Sequence, residues 1–157
     1  MNKATIKDIA IISTEGPWDT KSNAKLHLLL NLNFEKVIEY LGNKSGIDGS
    51  QHNDIRGLRI YKVSQLKKGA IGANEWHKYK KEIAFTLNGQ IKWTFRDTDG
   101  LQSEYLTDSS SGGVFIPTNI FHTYEALEDE SDLLVIANTT YDESKPQMHD
   151  AFPIESF

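Results

Sequence analysis

Two glutamates and two histidines stand at spacings that suit proton transfer or metal binding. In Gly72-Ala-Asn-Glu75-Trp-His77-Lys-Tyr-Lys-Lys-Glu82, Glu75 and His77 lie two residues apart, so on an extended strand both side chains leave by one face. Glu82 follows five residues after His77, and His122 closes the segment Gly113-Val-Phe-Ile-Pro117-Thr-Asn-Ile-Phe-His122. Two imidazoles and two carboxylates accept one divalent iron, zinc, manganese or nickel ion, because borderline nitrogen and hard oxygen donors together suit such metals. Without a metal the same four groups form an acid/base set. On the residues alone both chemistries stay open. His27 and His52 stand by themselves and read as hydrogen-bonded, partly buried residues.

Composition narrows the classes of function. With 157 residues, 38% hydrophobic and 25% charged, the chain is one compact domain able to bury a core. A net charge of -5 repels phosphate polymers and anionic lipid surfaces, which argues against nucleic acid and membrane partners. The absence of cysteine excludes disulfide frameworks, Cys-based zinc sites, iron–sulfur clusters and thiol nucleophiles. Lys3, Lys7 and Asp8 interrupt the first apolar residues, unlike a secretory signal, and no apolar stretch is long enough to span a bilayer. A cytoplasmic protein is the expectation.

The elements that must position the four residues follow from periodicity. Phe34, Val37, Ile38 and Leu41 have helical spacing, which predicts a short amphipathic helix over Phe34–Leu41 ended by Gly42. The preceding run, Leu26 to Leu32, fits helix or strand equally. Residues 43–54 collect Gly, Asn and Ser as a loop or linker. Beyond it come runs rich in β-branched and aromatic residues: Leu58–Val63, Ile83–Leu87, Ile91–Phe95, Val114–Ile116 and Leu133–Ala137. Asn88-Gly89 between two of them predicts a hairpin with a type I′ turn. The expectation is an all-β jelly-roll barrel over residues 56–157, preceded by an extension over residues 1–55 of helix or strand that covers the barrel or a dimer interface.

The two histidine segments resemble the paired motifs of the cupins. In the first cupin motif Gly leads to His-x-His, a carboxylate and a later Gly; here Glu75 occupies the first histidine position, followed by His77, Glu82 and Gly89. The second motif runs Gly, Pro, a small residue and His, matched by Gly113, Pro117 and His122, with Asn119 where the family often has Gly. A second set of residues resembles the WxcM-like sugar-nucleotide 3,4-ketoisomerases: Arg59-Ile-Tyr61, His77-Lys78, Leu87-Asn-Gly89, Asp97-Thr-Asp99-Gly100, and Val135-Ile-Ala137 leading to Tyr141-Asp142-Glu143. That resemblance spans residues 56–150.

The resemblance implies a cofactor-free isomerase or epimerase. It would act on a nucleotide-linked 4-keto-6-deoxy sugar, such as a thymidine diphosphate sugar, by proton transfer through an enediol, in surface-polysaccharide synthesis and as a homodimer. His77 would then be the proton shuttle, with Glu75 and His122 beside it and Tyr61 or Tyr124 as a phenol donor to the enolate oxygen. Arg59 would pair with the diphosphate, and Trp76 and Tyr79 would stack on base or sugar. Glu82, Tyr124 and His149 complete the expected substrate contacts. Two departures bear on ligand positions: Glu75 replaces the histidine expected to act as a base, and His149-Asp150 stands where the family continues to an arginine. Two other readings follow from the same residues. One is a metal-dependent cupin enzyme, a dioxygenase or small-molecule isomerase, with Glu75, His77, Glu82 and His122 as ligands; the other is a sugar-nucleotide-binding cupin without activity.

Overall fold

The structure, a computed structural model, describes residues 4–45, 52–54, 57–140 and 150–157. Thirteen strands and one α-helix are described. In order they are β1 (Ala10–Ile12), β2 (Glu15–Asp19), β3 (Lys25–Leu28), α1 (Phe34–Leu41), β4 (Asn43–Ser45), β5 (His52–Asp54), β6 (Arg59–Leu66), β7 (Ile71–Glu75), β8 (Glu82–Asn88), β9 (Gln90–Arg96), β10 (Gln102–Asp108), β11 (Gly113–Ile116), β12 (Phe121–Ala126) and β13 (Ser131–Ala137). Two antiparallel sheets carry the fold, one ordered β1-β11-β8-β13-β6 and the other β10-β9-β12-β7. None of the described helices is long and apolar enough to cross a membrane.

Side-chain alternation explains why the two sheets face each other. Along β9 the buried positions are Ile91, Trp93 and Phe95, every second residue, so one face of that strand is apolar. They meet Ala84, Val114, Ile116, Leu133 and Val135 from the opposite sheet in one core. Strand β8 departs from alternation, because its first five residues are all buried. Its second apolar face, Ile83 and Phe85, is covered from outside by Ile12, Leu41 and Tyr40 of the N-terminal segment. Strand β1 thus adds to the edge of the larger sheet, and Ile12, Tyr40 and Leu41 cover its outer face.

Helix α1 occupies Phe34–Leu41, as its periodicity predicts, with Asn33 accepting from Lys36 N–H at its start and Gly42 at its end. The preceding ambiguous run resolves as a strand over its first part, β3, hydrogen-bonded to β2 in a separate two-stranded sheet. Buried Asn138 fastens the helix end to the barrel: its amide donates to Leu41 O at 2.8 Å and accepts from Lys81 N–H at 2.8 Å. Lys81 Nζ donates to Gly42 O.

The hairpin expected at Asn88-Gly89 is not formed. Strands β8 and β9 are joined there but lie in different sheets, so the turn is a corner between sheets. Only Gly89 has positive φ, +72°, whereas a type I′ turn needs it at both central residues. A side chain at Gly89 would also meet Ser131 Oγ at 2.2 Å, because the corner presses against the start of β13.

Gly100 also has positive φ, +82°, but no atom within 4 Å of a would-be Cβ. Gly100→Ala should therefore cost only the left-handed backbone penalty, about 1–2 kcal/mol. Gly89→Ala should cost measurably more in urea unfolding, and equal losses would contradict the close approach.

Candidate active site

Four elements aim side chains at one point. Strand β12 lies beside β7 with His122 opposite Glu75, and the pairing slips between His122 and Thr123. The slip falls where Ala73 and Asn74 both take positive φ, +60° and +61°, making a bulge that re-aims the end of β7. Glu75 thus faces the barrel interior together with His77. Glu82 enters from the start of β8, between Ile116 of β11 and Ala137 of β13, and Tyr61 reaches it from β6 with a hydrogen bond of 3.0 Å to Oε1. Asn119 holds the segment before β12: its φ is +59°, a conformation asparagine tolerates, and its N–H donates to His77 O at 2.7 Å.

Both imidazoles are fixed by backbone carbonyls. His77 Nδ1 lies 2.6 Å from Asp150 O and His122 Nδ1 3.2 Å from Ile120 O, so in the neutral rings Nδ1 carries the proton and Nε2 the lone pair. His77 Nε2 is buried and has no hydrogen-bond partner. It lies 3.5 Å from Glu75 Oε1 and 3.5 Å from Glu82 Oε2, and His122 Nε2 is likewise 3.5 Å from Glu82 Oε2. Burial lowers the His77 pKa against the attraction of Glu82, and His122 and Lys80 lower it further. The ring is therefore a neutral base with its lone pair facing two carboxylates.

A buried lysine stands between those two carboxylates. The Lys80 side chain is 3% exposed, with Nζ 3.1 Å from Glu82 Oε1 and 3.4 Å from Glu75 Oε1. Burial works to raise the Glu82 pKa, but hydrogen bonds from the His122 and His77 rings in their protonated forms, together with the Lys80 charge, outweigh it and hold the carboxyl well below its usual range. Burial and the Glu82 charge push the Tyr61 phenol up, so it stays protonated and donates.

Geometry alone offers a divalent ion three donors, since one ligand atom each of Glu75, His77 and His122 lie within 4.8 Å of one another. The charges do not fit such an ion. Lys80 Nζ shares with His77 Nε2 the same Glu75 oxygen, and at about 4 Å two unit like charges repel by about 4 kcal/mol at an effective dielectric of about 20.

The remaining expected residues divide between the cluster and its surroundings. Tyr124 is half-buried and passes over Gly72, where a side chain would meet its hydroxyl at 2.1 Å; burial and the Glu75 charge raise its pKa. Arg59 lies over the Tyr61 ring at 5.2 Å. Trp76 points away from the four-residue cluster: its ring packs on Phe152 and Phe157, and its indole N–H donates to Ser156. Tyr79 exposes its ring. His27 is an exposed residue of β3, while His149 and the segment Tyr141-Asp142-Glu143 lie outside the described residues.

Two residues matter more than the sequence suggests. The Asp150 carboxylate accepts the N–H groups of Lys78, Tyr79 and Lys80 at 3.0, 2.6 and 2.6 Å. With its carbonyl on His77, Asp150 clamps the loop over residues 77–80. Lys80 reads in sequence as one of several solvent-facing lysines, and only its place between Glu75 and Glu82 hints at another role.

Comparison with known proteins gives the family. The family model described as FdtA: WxcM-like, C-terminal matches residues 28–150. A TDP-4-oxo-6-deoxy-alpha-D-glucose-3,4-oxoisomerase from Aneurinibacillus thermoaerophilus is 23% identical over 113 residues, 72% of this chain and 81% of that protein. Among solved structures, a double mutant of the QdtA 3,4-ketoisomerase from Thermoanaerobacterium thermosaccharolyticum, in complex with TDP, superposes with a TM-score of 0.67. It is 18% identical, covering 97% of this chain and 91% of that one. A capsular polysaccharide assembling protein, CapF from Staphylococcus aureus, has a TM-score of 0.52 at 24% identity, over 62% of this chain and 28% of its own length.

The buried cluster sets the pH dependence of stability. His77 has a folded pKa below its ordinary 6.5, so its contribution is complete above pH 6.5 and declines as pH falls through that value. Glu82 has a folded pKa below its ordinary 4.5, so its contribution is present above that pH and is lost further down. The urea midpoint should fall between pH 7.5 and 5.5, and His77→Gln should flatten this first decline. An unchanged slope in the variant would show that His77 is not the buried neutral group.

Proposed function

The chain belongs to the FdtA, WxcM-like C-terminal family, and we propose that it is a sugar-nucleotide ketoisomerase acting on a nucleotide-linked 4-keto-6-deoxyhexose. The relative named above as a TDP-4-oxo-6-deoxy-alpha-D-glucose-3,4-oxoisomerase supports this substrate class. The observation that carries the reading is the state of His77: Nδ1 anchored on a carbonyl, Nε2 buried without a partner.

Moving a carbonyl from C4 to C3 needs a base that removes the C3 proton, which is acidified by the adjacent C4 carbonyl. With a proton taken up at O4, the product is an enediol across C3 and C4. Proton return to C4, with loss of the O3 proton, leaves the carbonyl at C3. His77 Nε2 is the base for the first step, and the imidazolium so formed is the acid for the last. Its charge is welcome there, because Glu75 and Glu82 each lie 3.5 Å away. Tyr61, hydrogen-bonded to Glu82 and protonated, is suited to donate toward a sugar oxygen, and Glu75 at the more open edge is suited to accept a hydroxyl proton. Protons and electrons close within the substrate, so this chemistry requires no redox cofactor. Arg59 remains the group proposed for the diphosphate, with Tyr79 and Tyr124 beside the sugar or base.

The same reading places the protein in the cytoplasm, in the synthesis of surface-polysaccharide sugars. It also makes the protein a homodimer, supported by the exposed apolar side chains Trp18, Leu26 and Leu28 of the β2–β3 hairpin.

Incubation with dTDP-4-keto-6-deoxyglucose in deuterated water should give deuterium at C3 of recovered substrate and at C4 of a 3-keto product, followed by NMR. His77→Asn should lower turnover by about 10²–10⁴-fold, the usual share of a general acid–base group. Since His77 must be neutral to act, the rate should fall only on the acid side of pH 6.5. Absence of both exchange and turnover with 4-keto-6-deoxy nucleotide sugars would overturn the assignment.

A further inference from the structure

We propose that Lys80 is the built-in cation of this site: its ammonium takes the charge-balancing place of a divalent ion between Glu75 and Glu82 and keeps such an ion off the Glu75, His77 and His122 donors. Everything else a metal would need is present. Each imidazole gives its Nδ1 proton to a backbone carbonyl, the arrangement by which proteins orient histidine ligands, and presents Nε2 toward a shared carboxylate. Glu75, His77 and His122 bring ligand atoms within 4.8 Å of one another. What stands among them is an ammonium 3.1 and 3.4 Å from the two carboxylates.

The position of Lys80 is built rather than incidental. A lysine 3% exposed loses its hydration and is tolerable only with partners, which Glu75 and Glu82 supply. Its backbone N–H and those of the two preceding residues all end on the Asp150 carboxylate, so the loop that carries it is fixed at three successive residues. With neutral imidazoles the two glutamates sum to -2; Lys80 brings the cluster to -1, whereas lysine and a divalent ion together would leave a buried +1. The choice of cation also matters for the chemistry proposed above, on which this one consequence rests. A metal ion would take up the Nε2 lone pairs, while an ammonium balances the carboxylates and leaves the lone pair of His77 free to accept a proton.

The test is metal binding without substrate, so it stands apart from the ketoisomerase reading. Wild-type protein, Lys80→Met and Lys80→Arg are titrated with Co²⁺, followed by calorimetry and by visible absorption. Lys80→Met should bind one Co²⁺ per chain at least about tenfold more tightly than wild type. Lys80→Arg, which keeps the charge, should bind no better than wild type, and adding His122→Ala to Lys80→Met should abolish the gain. Lys80→Gln repeats the measurement if circular dichroism shows the methionine variant unfolded. Wild type binding Co²⁺ as tightly as the uncharged variants would overturn the proposal. So would a folded Lys80→Met or Lys80→Gln that gains no site.

Discussion

One buried carboxylate organises this molecule. Glu82 is 4% exposed, at the head of the central strand of the larger sheet, where an ionised group is costly unless several partners meet it. Tyr61 comes to it from β6, His122 from β12, and His77 and Lys80 from the loop beyond β7. These elements belong to both sheets, so the partners converge only when the sheets close on each other. Folding and site assembly are the same event, and the neutral state of His77 follows from that shared burial.

Preorganisation of the loop between β7 and β8 follows from clamps on both sides. Asp150 takes the N–H groups of residues 78 to 80, and Asn138 takes that of Lys81 while holding the end of α1. Helix α1 therefore does more than cover apolar surface, because it ends on Asn138 and Lys81, which hold the loop between β7 and β8. Aiming side chains within fractions of an ångström requires such second supports, and here they come from the two ends of the chain.

The order and spacing of Glu75, His77, Glu82, Gly113, Pro117 and His122 made the jelly roll and the cluster legible, since strand periodicity fixes which residues share a face. Helix α1 was legible for the same reason. The corner at Gly89 was not, because turn chemistry reports a reversal of direction but not whether the next strand pairs with the last or crosses to another sheet. Strand β10 escaped notice because Gln102–Asp108 contains few large apolar residues, and its outward positions Glu104 and Leu106 do not distinguish core from solvent. The bulge at Ala73-Asn74 lacks a glycine to announce its two positive φ values. Burial of Lys80 depends on contacts made only in three dimensions; in sequence it is one of four lysines within Lys78 to Lys92.

The glutamate at position 75 and the lysine at position 80 act as one electrostatic unit with Glu82. A neutral histidine at 75 would leave Glu82 as the sole carboxylate of the cluster, at a net -1 with neutral imidazoles. Glutamate there alone would double that buried charge, and the neighbouring carboxylates would each disfavour ionisation of the other. Lys80, 3.4 Å from Glu75 and 3.1 Å from Glu82, restores the sum to -1. A carboxylate at position 75 paired with Lys80 thus leaves the overall charge around His77 the same as an imidazole at 75 would. Under the ketoisomerase reading proposed above, His77 then keeps its role as base while a carboxylate rather than an imidazole stands beside the sugar.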